Sequence, residues 1–386
     1  MLLGRIGRVA AAICVSIPVF LISNGSLGAD IYTLSTSKYL SSPDLFVTLS
    51  GRLISGNLDR KDSSFFKLRD LSGKVVSDSV ASFSNDGFLS GYEGEASVGK
   101  WFGPLAYEFV VGGVSVSSEA SEEGRVAVEG GQDRLLILGA PYADQSVSLK
   151  WSSAGQFDLE DVAYRNAFSR EEVYAGARMT VLRDSWAPGK DAPRFQPMAY
   201  VSFGDVKVSE TFGGATGGSG SDSQNISWSY DNSVVSSFIG VGGGVGTSGL
   251  LAEIAQVRIG YFGGLRGGFE FQQATGSSNW TYRQIKKSVS GCSGKNCSDK
   301  SQKVSQTETK NWASPTKELT ASETVLALHA EAGLAVALMT GVDVELGARL
   351  RRFDAPQVVV DGENDAFIQF ETSQELSGFL GLKAEF

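Results

Sequence analysis

The sequence is poor in the residues that soluble enzymes use for chemistry. Among 386 residues there is one histidine, His329, and three cysteines. A single histidine leaves little room for a histidine-dependent hydrolase, which needs a base held beside a nucleophile. His329 has Glu331 two residues on, but no serine accompanies them at matching spacing. Basic residues are also in deficit: 34 Lys and Arg stand against 43 Asp and Glu, for a net charge of -9. That balance argues against a phosphate-binding surface, and nucleic acid is excluded as an expected partner. The glycine cluster from Gly240 to Gly246 precedes no strand-to-helix junction, so it does not read as a phosphate loop. No cofactor and no metal site are expected, and no catalytic residue is assigned.

Long apolar runs are missing as well. The one candidate, Val9 to Ile22, is shorter than the about 20 residues that a spanning helix requires. With Arg5 and Arg8 before it and Gly28 and Ala29 after it, residues 1–29 read as a secretory signal cleaved near Ala29. Residues 30–43 then form a short periplasmic segment, and 44–386 the folded unit. Cys14 lies within the signal in a poor lipoprotein context. In an oxidising compartment the two remaining cysteines, Cys292 and Cys297, are expected to form a disulfide; free thiols are the alternative, and no histidine supports a metal site there.

What the chain does have is alternation. Hydrophobic residues make up 42% of it and 47 glycines are spread among them, which suits strands that are apolar on one face only. Leu45, Val47, Leu49 and Leu53 share a face opposite Thr48, Ser50 and Arg52. From Gly87, Phe88, Tyr92, Ala96 and Val98 oppose Glu93, Glu95 and Ser97, and beyond Gly103 and Pro104 a second arm sets Tyr107, Phe109, Val111 and Gly113 against Glu108. Val173 to Leu182 and Phe195 to Val208 form another hairpin, through a turn with Pro188 and Gly189. Leu251 to Gln272 keeps one phase and reads as a single long strand, with Arg258, Arg266 and Glu270 on its polar face, a bend or turn at Gly263 and Gly264 being the alternative. Trp101 and Trp186 fall near strand ends, their facing undecided.

The clearest hairpin joins Thr324–Leu338 to Val342–Arg351 through Met339, Thr340 and Gly341. Its trial register pairs Leu338 with Val342 and Leu334 with Leu346, and on the polar face Glu331 with Arg349 and His329 with Arg351. A Glu331–Arg349 ion pair is expected. Asp343 and Glu345 share that face, and charge balance with the arginines is preferred to an acidic catalytic pair.

The last strand places Leu376, Leu380, Leu382, Ala384 and Phe386 on one face and ends on an aromatic residue. This resembles the terminal strand of Gram-negative outer-membrane β-barrel proteins, whose final aromatic residue and alternating apolar positions are read by the barrel assembly machinery. Tyr92 to Gly113 also resembles, loosely, the early hairpin of alphaproteobacterial surface-antigen barrels. The resemblance implies an all-β fold, a transmembrane antiparallel up-and-down barrel with short periplasmic turns and long extracellular loops. The loops expected are Ser55–Asp86, Gly213–Ser223 and Gly276–Thr320. The strand number is ten, or twelve if Ser117–Arg170 conceals a further hairpin. Leu380, Leu382, Ala384 and Phe386 would be the assembly signal.

Two functions fit this reading. In a narrow porin-like channel for small solutes, Arg52, Glu93, Glu95, Arg178, Arg258, Arg266, Glu270, Glu331, Asp343, Glu345, Arg349 and Arg351 line the pore. In a surface adhesin or antigen, the barrel only displays its loops to a host or surface ligand. A barrel hydrolase comes third. Outer-membrane lipid and lipopolysaccharide, and the assembly machinery during biogenesis, are the implied partners. A soluble periplasmic β-sandwich is the competing fold, since alternation serves there too.

Overall fold

The computed structural model describes residues 45–59, 63–64, 66–70, 75–77, 82–83, 87–102, 105–128, 134–138, 147–151, 157–182, 193–216, 224–254, 257–290, 304–313, 316–339, 341–360 and 366–386. The segment expected to be a signal, the turn with Trp186, Pro188 and Gly189, and both Cys292 and Cys297 lie outside them.

Ten long strands follow one another: β1 (Leu45–Asp59), β2 (Gly87–Phe102), β3 (Leu105–Val128), β4 (Phe157–Leu182), β5 (Arg194–Thr216), β6 (Gln224–Ile254), β7 (Val257–Ser290), β8 (Lys317–Met339), β9 (Val342–Val360) and β10 (Ala366–Glu385). Each pairs antiparallel with the next, and β10 pairs with β1, so the sheet closes into an up-and-down barrel. Closure satisfies every strand edge, the condition for crossing lipid with strands. Phe386 completes the seam: its N–H donates to the Val47 carbonyl at 2.9 Å, and its own carbonyl accepts from the Val47 N–H at 3.0 Å. Both described chain ends lie at one end of the barrel, called here the turn end; the opposite end is the loop end.

The strands are 15 to 34 residues long, whereas about 9 to 11 residues cross a bilayer. The surplus is explained by an inversion of polarity partway up the wall. In the half nearer the turn end, Leu53, Phe109, Val201, Ile239, Leu265, Phe269, Leu334 and Leu346 are exposed on the outside, while Glu93, Glu108, Glu270, Glu345 and Arg349 are buried inside. Above that band the sides exchange character. On β3, Val114 and Val116 are buried while Ser117 faces out; on β5, Val206 and Val208 are buried between exposed or half-exposed Asp205, Lys207 and Ser209. The lower half is apolar outside and charged inside, as a lipid-embedded barrel must be, and the upper half has the polarity of a water-soluble one.

The interior of the upper half is a packed apolar plug. Leu58, Leu89, Phe168, Phe238 and Phe353 are buried together with Val206, Val208 and Val234, and Phe168 and Phe353 meet with ring centroids 5.6 Å apart. At the loop end, Phe66–Asp70, Val75–Ser77, Arg134–Leu138 and Val147–Trp151 form a separate four-stranded sheet, Ser63–Ser64 pairs with Ser82–Phe83, and Val304–Ala313 lies along the upper part of β7.

Two expectations need correction, and the choice between ten and twelve strands is decided for ten. The chain reverses between Ile254 and Val257, so Leu251 to Gln272 is not one strand; Gly263 and Gly264 continue β7 without a turn. Ser117–Arg170 adds no barrel hairpin: it supplies the upper parts of β3 and β4 and two strands of the loop-end sheet, and the barrel has ten strands. The β8–β9 register holds at Leu334–Leu346, Glu331–Arg349 and His329–Arg351, but Met339, not Leu338, stands opposite Val342. The turn is tighter than expected, with Gly341 at φ 79°, and a bulge between Ala337 and Met339 absorbs the extra residue.

Candidate functional site: the charged interior

Strand alternation sends every second side chain of the lower half inward, and twelve of these were expected from the sequence. Arg52 on β1, Glu93 and Glu95 on β2, Arg178 on β4, Arg258, Arg266 and Glu270 on β7, Glu331 on β8, and Asp343, Glu345, Arg349 and Arg351 on β9 all occupy inward phases. Arg258 and Asp343 sit near the turn end. Glu270 and Arg351 join a cluster around Arg170 and Glu172, and the other eight join one network that crosses the interior.

Arg52 is its hub. Its Nε donates to Glu345 at 2.8 Å and its Nη1 to Glu331 at 2.9 Å, with Glu93 at 3.8 Å. The guanidinium also lies over the Phe379 ring at 4.6 Å, so its flat face is covered while its edge is spent on carboxylates. Arg178 bonds Glu95 at 2.8 Å and Glu108 at 2.7 Å. Tyr174 donates its hydroxyl to Glu95 at 2.8 Å. Arg266 bridges at longer range, 3.9 Å from both Glu95 and Glu331. Arg349 binds Glu375 and, at 3.3 Å, Glu93.

The expected Glu331–Arg349 pair is therefore replaced. The two residues stand opposite on adjacent strands, but Glu331 reaches across the interior to Arg52, and Arg349 reaches across it to Glu93 and sideways to Glu375 on the neighbouring β10. In a barrel this narrow, long side chains from different walls meet as readily as neighbours on one wall.

Arg170 and Glu172 on β4 and Glu375 on β10 were not singled out from the sequence, and Glu108 on β3 was placed on a polar face without being counted among the pore-lining residues. Arg170 is fully buried, pairs with Glu172 and Glu270, and lies 4.3 Å from the Phe238 ring centroid and 5.2 Å from that of Phe353. It joins the charged layer to the plug. Glu172 is shared with Arg351. Carrying the phase of Tyr174 back along β4 would have reached both residues. In all, eight carboxylates (Glu93, Glu95, Glu108, Glu172, Glu270, Glu331, Glu345, Glu375) meet six guanidiniums (Arg52, Arg170, Arg178, Arg266, Arg349, Arg351), a surplus of two negative charges.

Two cavities stand out among the described residues. One of about 110 Å³ lies between the network and the β6 wall, where Gly244 and Gly246 leave space opposite Arg52, Glu345 and Lys383. The other, about 40 Å³, touches His329, Tyr174, Tyr200 and Arg351, and among the described residues no serine, threonine or cysteine borders it. His329 Nε2 lies 3.8 Å from Glu331 and makes no hydrogen bond among the described residues. Trp101 is half-buried at the turn end, 5.7 Å from the Phe46 ring and 6.0 Å from the Arg194 guanidinium.

No protein-family model matches the chain, and no curated protein matches it. Among solved structures it is similar to the outer membrane protease OmpT of Escherichia coli, at 10% identity over 90% of this chain and 98% of that one, with a TM-score of 0.31. It is also similar to the transport unit of the autotransporter AIDA-I of Escherichia coli (10% identity, 94% and 98% covered, TM-score 0.24) and to a FadL homologue of Pseudomonas aeruginosa (6%, 89% and 90%, TM-score 0.21). The class rests on the molecule's own polarity: a closed barrel with an apolar belt outside and buried charge inside is an outer-membrane β-barrel.

Proposed function

We propose that the protein is a closed platform in the Gram-negative outer membrane that works through its loop end, as a surface adhesin or antigen does. The observation that carries this is the plug: Leu58, Leu89, Phe168, Phe238 and Phe353 fill the interior above a charge network whose members are mutually paired. A barrel of about 8 strands is filled by its own side chains, and wide aqueous pores need about 16; at ten, a filled interior favours the closed reading. Lipid and lipopolysaccharide surround the belt in this reading, and Leu380, Leu382, Ala384 and Phe386 on the last strand present the signal to the assembly machinery.

The narrow channel keeps one observation in its favour, the 110 Å³ cavity on the glycine side of the lower half. Planar-bilayer recording of refolded protein separates the two. The platform predicts a folded, heat-modifiable barrel that is silent. Discrete conductance steps in the wild-type protein would refute it, and the surplus of carboxylates would then make the path cation-selective.

A further inference from the structure

Above the belt the β8–β9 ladder stops at Leu328 opposite Arg352, and the β10–β1 ladder stops at Gln374 opposite Asp59. Beyond those rungs, Phe353–Val360 of β9 and Ala366–Ser373 of β10 still pair with each other, Val358 opposite Ile368, and among the described residues with no other strand. These two arms form a hairpin that has left the wall, and it turns inward. Phe353 meets Phe168 of β4 with ring centroids 5.6 Å apart, although β4 and β9 are not neighbours. Gln272 of β7 donates to the Asp354 carbonyl at 3.0 Å, with β8 lying between those strands in the wall. A Cβ added to Gly276 of β7 would lie 3.4 Å from Ile368 Cδ1 of β10.

The sequence suits that position. Ala355 and Pro356 are consecutive, so they face opposite ways, and both are buried; a strand covered on both faces is apolar on both. Pro356 brings no N–H to a ladder, which fits a strand with a free edge. The hairpin is held by the packing of Phe353, Ala355, Val358, Ala366 and Ile368 against the wall and by the bond from Gln272. Each belt strand, by contrast, is held by ladders on both sides. Withdrawal of the hairpin therefore breaks no rung between wall strands.

Below the hairpin the interior is already partly open. The smaller cavity is bordered by Arg351, which precedes Phe353 on the same face of β9. Glu93 and Arg266 line both cavities, and the larger one continues toward the turn end past Gly244, Gly246 and Lys383. The two lie in succession between the turn end and the foot of the hairpin. We infer that the hairpin is a withdrawable plug, and that its departure turns the closed barrel into a narrow path for small inorganic cations. The sign follows from the eight carboxylates that outnumber six guanidiniums along the interior. The inference goes beyond the platform reading and rests on it only in taking the resting barrel as closed.

The test is planar-bilayer recording of the refolded full chain across a potassium chloride gradient, with amide hydrogen exchange on the same preparation. Val358→Asp/Ile368→Asp sets two carboxylates opposite each other in the packed face of the hairpin. It should give discrete steps with a reversal potential on the potassium side, from a barrel that is still heat-modifiable. Gln369→Asp, exposed on the same hairpin, should stay as silent as the wild type. In the wild type, amides bonded across the hairpin between Phe353–Val359 and Ala366–Ser373 should exchange at least about tenfold faster than those of Val344–Leu350 in the belt. That measurement needs no variant to fold. A folded but silent Val358→Asp/Ile368→Asp barrel, chloride selectivity, or hairpin amides as protected as the belt would each overturn the inference and leave the platform standing. Discrete steps from the resting wild type would remove the platform, and with it the closed state from which the plug withdraws.

Discussion

Replacing Arg52 with methionine tests whether the charge network holds the lower half together. The substitution keeps an unbranched apolar stem and removes the guanidinium from three carboxylates. They are not equally exposed to its loss. Glu93 keeps Arg349 at 3.3 Å and Glu331 keeps Arg266 at 3.9 Å, but the cation beside Glu345 is Arg52, at 2.8 Å. Glu345 is buried, so Arg52→Met strands one carboxylate away from bulk water. Breaking a buried pair from one side costs about 3–5 kcal/mol, which is about two to three and a half decades in the folding equilibrium. The double variant Arg52→Met/Glu345→Gln removes the stranded charge and should recover at least about half of that loss. Arg52→Lys should fall between, because one ammonium cannot serve Glu331 and Glu345 as the planar fork does. The assay is urea unfolding and refolding in detergent, read by heat-modifiable migration. A cost under about 1 kcal/mol for Arg52→Met would refute the reasoning, since a partner lost from a truly desolvated site cannot be so cheap.

The remaining predictions concern the plug, the belt and the turn. Phe168→Ala/Phe353→Ala removes two mutually tilted rings in contact from the plug and should turn a silent barrel into a weakly conducting one in planar bilayers, at a stability cost of about 3–5 kcal/mol per ring; continued silence would mean that other residues seal the interior. In a variant whose Cys292 and Cys297 are serine, Thr275→Cys above the belt should react with a membrane-impermeant maleimide on intact cells, and Leu265→Cys within the belt should not. Equal labelling would place the lipid boundary elsewhere. Gly341→Ala forces a side chain onto a φ of 79° with its Cβ 2.6 Å from the Glu385 carbonyl oxygen, and should cost at least about 1–2 kcal/mol in the same unfolding assay.

How much of this was legible in the sequence depended on where the polarity rule applies. β8 and β9 could be read, register included, because Leu334, Leu346, Glu331 and Arg349 obey apolar-out, polar-in alternation within the belt. Ser117–Arg170 could not. It belongs above the belt, where Val114 and Val116 turn in and Ser117 turns out, so a reader looking for lipid-facing apolar residues finds the phase reversed. β6 escaped for another reason. Gly240, Gly242, Gly244 and Gly246 hold its inward positions opposite Ser202, Tyr200, Met198 and Gln196, and glycine carries no polarity to alternate with Val241 and Val245. The cross-interior pairing of Arg52 with Glu331 was hidden because they lie 279 positions apart in sequence and on strands that are not neighbours.

The same inversion gives the barrel a way of fixing its register and its depth at once. A one-residue slip of any strand moves all its side chains to the other face. In β5 it would put Val206 and Val208 into water and Asp205 and Lys207 into the plug, while within the belt Ala199, Val201 and Phe203 would leave lipid. Both halves would be penalised together, so the penalty grows with the full length of the strand rather than with the bilayer crossing alone. Vertical displacement is resisted in the same way. Sinking the barrel by one alternation would bring Asp205 on β5 and Gln273 on β7 into hydrocarbon, and an acidic or amide group there costs several kcal/mol. Raising it would strip lipid from the apolar residues at the turn end. The boundary marked by Leu53, Phe203, Ile239, Phe271 and Leu350 is therefore a physical stop, and it holds the loop end clear of the membrane.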